Sequence, residues 1–115
     1  MSGRSPAPII AIHVLAFIGV AFWASTIITA IISGSSNVWW VILIGVILGG
    51  AHIAISRFTS LHSSIAVYFM WFVFIADSLL AIFVQVQAVV LVIFTIVLLV
   101  LTRLPSSKLW YSTSP

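Results

Sequence analysis

The chain has 115 residues, of which 63% are hydrophobic and only 4% charged, with four Lys or Arg against a single acid. A soluble domain carries about 25% charged residues, and a mean hydropathy of +1.39 leaves no material for a water-facing surface. These figures exclude a soluble enzyme, a nucleic-acid-binding domain and a disordered chain, and they predict a single-domain, all-α membrane protein whose first partner is the lipid bilayer.

A spanning helix needs roughly 20 residues, which caps the chain at four or five spans. The first apolar segment runs from about Pro8 to Ile32 and follows Arg4, in the manner of a secretory signal. It outruns the roughly 7–15-residue core of such a signal and has no clear small-x-small site after it, so it reads as a retained first span. Pro6 and Pro8 suit a helix start, where a missing amide donor loses no bond, and Gly34 suits a left-handed cap. After the polar loop Ser33–Asn37, a second span covers Val38 to Ser56 and opens on Trp39 and Trp40, at the place of an interfacial aromatic belt. Residues Arg57 to His62 read as the next connection, and Ser63 to about Val84 as the third span.

From Ala66 to Leu104 the chain is apolar except for scattered single residues. As one straight helix this stretch would be about 58 Å long, against a hydrocarbon core of about 30 Å. A turn is therefore required, and Gln85-Val86-Gln87 is the only polar cluster near its middle. The fourth span is then Ala88 to Leu104, stopped by Pro105, with Lys108, Trp110 and Tyr111 in the tail as an interfacial anchor. The charges support this count. With spans at about 8–32, 38–56, 63–84 and 88–104, Arg4, Arg57, Arg103 and Lys108 all fall on one side of the membrane. The positive-inside rule makes that side, and with it both termini, cytoplasmic. The expected fold is a compact four-helix transmembrane bundle.

Few residues carry chemistry. Asp77 is the only acid, and an intramembrane carboxylate costs about 2.5–3.5 kcal/mol on insertion scales, which marks it as a candidate functional residue. Ala21, Ser25 and Thr29 form a small-residue ladder in span 1 at a similar depth, so Ser25 and Thr29 are the expected partners of Asp77. A protonated Asp77 bridging two helices and a proton- or cation-coupled site are the two readings of this layer. His13, His52 and His62 all lie towards the cytoplasmic side and are the candidate metal ligands, but no metal-binding spacing is present and Asp77 sits at another depth. No cofactor is expected. In span 2, Gly45-x-x-x-Gly49 shares a helix face with His52 and Ser56, a close-packing pattern expected to serve inside the bundle. Aromatic residues of span 3 (Tyr68, Phe69, Trp71, Phe72, Phe74) point all round the helix, and span 4 is almost uniformly apolar and expected to face lipid or another apolar chain.

In size and span count the chain is similar to the small multidrug-resistance transporters. Their membrane-embedded Glu in the first helix has no counterpart, since this chain contains no Glu. Four spans and cytoplasmic termini are also shared with tetraspan organisers of the MARVEL type, without a common residue motif, so no family assignment follows. Two function classes remain. One is a non-catalytic scaffold, assembly factor or accessory subunit bound to other membrane proteins. The other is a small transporter or channel, acting as a homo-oligomer and using Asp77 with Ser25 and Thr29.

Overall fold

The computed structural model describes residues 5–114. Its long helices are α1 (Ala7–Ser33), α2 (Val38–Ser60), α3 (Ile65–Phe83) and α4 (Val89–Thr102), and a short α5 (Pro105–Ser112) follows. Three of them, α1 to α3, are long and apolar enough to cross a membrane; the α4 region with α5 makes a fourth candidate, bent by 73°. Each long helix packs on the next through a short turn. The start of α1, the α2–α3 connection and α5 therefore gather at one end of the bundle, the terminal end. The α1–α2 and α3–α4 turns lie at the other, the turn end. Arg4 lies outside the described residues.

The buried residues of every helix recur at alternating intervals of three and four. In α1 they are Ile9, Ile12, Ala16, Gly19 and Trp23; in α2, Gly45, Leu48, His52, Ile55 and Thr59. Ala66, Met70, Val73 and Asp77 continue the pattern in α3, and Thr95, Leu98 and Thr102 in α4. That spacing gives a narrow seam of the kind that packs helices at small crossing angles. The faces away from it are also apolar, with Phe17, Ile32, Trp39, Ile82 and Phe83 broadly exposed, as suits surfaces solvated by lipid.

The turns follow the sequence logic in outline. Gly34 takes φ +65° and ends α1, while Ser35 N–H donates to Ala30 O five residues back, a Schellman closure that needs the left-handed conformation. The α3–α4 reversal is made by Gln85 in an extended conformation and a 3-10 turn over Val86–Ala88, so neither Gly nor Pro is needed. Two boundaries differ from expectation. Helix α2 continues through Arg57 to Ser60, which shortens the connection to residues 61–64. A cation in the last turn complements the helix dipole, and Thr59 in that extra turn is fully buried. The tail beyond Pro105 is helical, because Pro105 starts α5 at its first position and the helix docks back on the bundle.

Candidate functional site

Between α1, α2 and the α3–α4 hairpin lies a cavity of about 630 Å³. Asn37, Gln85 and Gln87 stand on its wall at the turn end, and His52 and Gly19 lie deeper. The middle is aromatic and apolar, with Phe22, Trp23, Trp40 and Phe94 among the lining residues. Among the described residues no Lys or Arg lines it; Asp77 and Thr95 do.

Asp77 is 1% exposed. Thr95 Oγ1 lies 3.0 Å from Asp77 Oδ2 and also 2.9 Å from Leu91 O, one turn back on its own helix. A hydroxyl has one proton to donate. With the carboxyl neutral, Oδ2–H donates to Thr95 Oγ1, whose own proton goes to Leu91 O, and all three groups are paired. With the carboxyl ionised, Oδ2 and Leu91 O compete for one proton. The Asp77–Thr95 pair therefore has two distinct hydrogen-bond arrangements, selected by a single proton. Among the described residues Asp77 Oδ1 makes no hydrogen bond, and neither does the buried Nε1 of Trp23. An acceptor and a donor are thus left unpaired on two residues of one cavity wall, where an unpaired buried polar group typically costs about 1–3 kcal/mol.

The expected partners of Asp77 are not its partners. Ser25 and Thr29 are exposed on the outer face of α1, together with Ala21. The seam of α1 advances by three and four through Ala16, Gly19 and Trp23, whereas a strict i, i+4 ladder drifts off it. Only Thr26 of that polar group lines the cavity, and its hydroxyl donates to Phe22 O at 2.8 Å. The partner that sequence reasoning missed, Thr95, lies at the mirror position across the α3–α4 hairpin, six residues into α4 as Asp77 lies six before the end of α3.

The histidines are likewise dispersed. His13 Nδ1 meets Ser56 Oγ at 2.7 Å, His52 Nδ1–H donates to Leu48 O at 2.7 Å, and His62 Nδ1–H donates to Trp110 O at 2.9 Å. Among the described residues no three His, Cys, Asp or Glu could hold one metal ion. His52 nonetheless lines the same cavity as Asp77, further from the turn end. Its ring fills the space that a Cβ on Gly19 would need. That contact was hidden because Gly19 belongs to no glycine motif.

Gly45 and Gly49 face α1. A Cβ at Gly45 would lie 2.7 Å from the Ile27 side chain, and one at Gly49 would lie 3.5 Å from Trp23 Cβ, an ordinary contact. Helix α4 is less free than its composition suggests, since Thr95, Leu98 and Thr102 are buried against the bundle. At the terminal end, Trp110 stacks on His62 with centroids 3.7 Å apart and donates through Nε1 to Thr59 O at 2.7 Å. Tyr111 OH pairs with Thr59 Oγ1 at 2.8 Å. Burial pushes the Tyr111 phenol above its ordinary pKa, partly offset by the Thr59 hydroxyl. No family model, no curated protein and no solved structure matches the chain.

Proposed function

We propose that the protein is a small four-span membrane transporter with both termini in the cytoplasm, and that Asp77 is its proton-exchanging group. One observation carries this reading: the only acid of the chain, 1% exposed, is among the residues lining a 630 Å³ cavity, with one oxygen unbonded among the described residues. A purely structural carboxyl would gain more from a sealed contact with both oxygens paired. Intramembrane carboxyls that line cavities are the usual seats of proton coupling. The orientation rests on the side shared by Arg4, Arg57, Arg103 and Lys108.

The test is proton movement into vesicles loaded with a pH-sensitive dye and driven by an imposed potassium diffusion potential. Wild-type protein should acidify the lumen above the rate of empty vesicles, and Asp77→Asn should return it to that rate. Ser25→Ala, altered on the outer face, should behave as wild type. Equal rates for wild type and Asp77→Asn would remove Asp77 from any transport role.

A second reading, as an accessory subunit or scaffold, is favoured by Gly50. This glycine is exposed on α2, with no atom within 4 Å of where its Cβ would be, beside Ile47, Tyr68 and Phe72. A small residue on an otherwise bulky outer face admits a close helix contact from a partner. Gentle extraction should then recover a stoichiometric partner that Gly50→Leu releases.

A further inference from the structure

We propose that the cavity binds a lipophilic phenol, whose hydroxyl donates to Nε2 of His52 while its ring lies among Phe22, Trp23 and Phe94. The proposal stands on His52 and does not depend on the transport reading.

The acceptor follows from the tautomer. His52 is 6% exposed, and its Nδ1 lies 2.7 Å from Leu48 O. A carbonyl oxygen only accepts, so Nδ1 carries the proton of the neutral ring and Nε2 is a bare acceptor. Among the described residues, the fully buried side-chain atoms without a partner are Trp23 Nε1, Asp77 Oδ1 and Ser107 Oγ. These three lie out of a ligand's direct reach. His52 Nε2 is not one of them, and the only hydrogen bond of the ring among the described residues is the one at Nδ1. Nε2 is therefore the unspent nitrogen that the cavity reaches, since His52 lines it. Gly19 sets this pose, because any Cβ there would collide with the imidazole.

Three features of the surroundings select the donor that Nε2 calls for. The first is charge. Among the described residues no Lys or Arg lines the cavity, and Asp77 is 1% exposed. An ion taken out of water needs a counter-charge in contact with it, so the donor that fits is neutral. The second is the aromatic lining. Trp23 follows Gly19 by one turn, about 6 Å along α1, so a ring bonded to His52 lies beside Trp23. Phe22 packs edge-on against Trp23 with centroids 5.1 Å apart, and Phe94 lines the same space. Flat apolar rings pair with such side chains in offset or edge-on arrangements, which an aliphatic alcohol cannot do. The third is access. Ile18 and Phe22 on α1 and Val90 and Phe94 on α4 both line the cavity and are exposed. The side between α1 and α4 thus faces lipid, the medium in which an apolar phenol dissolves. At about 630 Å³ the cavity falls within the range of small-molecule sites.

The probe is 2-naphthol, a flat bicycle with one phenolic hydroxyl. Its methyl ether, 2-methoxynaphthalene, keeps the body and loses the donor. Binding to the protein in phosphatidylcholine nanodiscs is read as the saturable part of the quenching of tryptophan emission. Wild type should bind the naphthol about three- to tenfold more tightly than the ether, the ratio that one neutral hydrogen bond gives. His52→Phe keeps a ring against Gly19, and His52→Ala leaves that space empty; in either, the two compounds should bind alike. In wild-type protein labelled with 15N-histidine, the naphthol and not the ether should move the resonance of one unprotonated ring nitrogen, a readout that needs no variant to fold. Equal affinity of wild type for the two compounds, no saturable binding of either, or a preference that survives the loss of His52 would overturn the proposal.

Discussion

The two ends of the bundle handle buried polar groups in different ways. At the terminal end they are paired with one another: His13 with Ser56, Thr59 with Tyr111, and both Thr59 O and His62 with Trp110. Among the described residues Ser107 Oγ is the one buried side-chain atom left unbonded there, and Ser107 does not line the 630 Å³ cavity. Towards the turn end, Asp77 and Trp23, two residues that line a large cavity, each have a buried polar atom with no partner among the described residues. The first arrangement is what stability alone favours, since each satisfied bond adds about 0.5–1.5 kcal/mol. The second gives up such bonds beside space that a ligand can fill. Polarity within a membrane span is therefore a weak guide to function, whereas an unpaired polar atom beside a cavity is a stronger one.

The contrast predicts a graded set of responses. The largest should come from Gly19→Leu, which drives a side chain into the His52 ring where α1 meets α2. Its cost should lie at the upper end of the roughly 1–3 kcal/mol typical of overpacking. Gly50→Leu, with open space around it, should leave the monomer's unfolding in detergent unchanged, and similar losses for both would show that the packing faces are misassigned. Next comes Trp110→Ala, which removes the His62 stack and the bond to Thr59 O. A loss of about 1–3 kcal/mol in a denaturant titration is expected, with proton movement through Asp77 preserved. Coupled loss of both would merge the two ends into one functional unit.

Asp77→Asn should be smaller again. An amide N–H can donate to Thr95 Oγ1 as a neutral carboxyl does, so stability should change by less than about 1 kcal/mol. Asp77→Leu should cost about 0.6–2 kcal/mol, as interhelical hydrogen bonds in membranes do. A strongly destabilised Asp77→Asn variant would make the residue structural, like those at the terminal end.

The smallest effect is at Tyr111. Its pKa is raised in the folded protein, chiefly by burial, so the neutral phenol is the form that folding favours. That contribution is complete below the ordinary tyrosine value near 10, and it fades as pH rises from there through the raised folded value. The docking of α5 should loosen only in that alkaline window, seen as a shift in tryptophan emission. Tyr111→Phe should abolish the pH dependence, and loosening already at pH 8 would contradict the assignment.

Much of the architecture was legible in the sequence because it depends on length and punctuation. Gly34 ends α1 as its φ of +65° requires, and the Gln85–Gln87 cluster holds the α3–α4 turn that the bilayer thickness demands. The facing of the helices was not legible. In a soluble protein the apolar stripe marks the seam, but all sides of these helices are apolar and the usual contrast is missing. The Ala21-Ser25-Thr29 ladder therefore looked like a packing face and lies outside, whereas Gly19, unmarked by any motif, makes the closest contact with His52. Asp77 was recognisable as a candidate because a buried acid is costly in any membrane context. Its partner was not, because Thr95 is an isolated hydroxyl in an apolar helix, and only the hairpin geometry brings it opposite Asp77.

The central claim, that Asp77 exchanges protons with the cavity and is not locked between α3 and α4, is tested most directly by carbodiimide labelling. Asp77 is the only side-chain carboxyl in the chain, so dicyclohexylcarbodiimide, an apolar reagent that enters membranes, has one internal target. Peptide mass spectrometry of the folded protein in nanodiscs should find a single internal adduct, at Asp77, formed faster than with a water-soluble carbodiimide. An Asp77 that stays unmodified until the protein is unfolded would contradict the account.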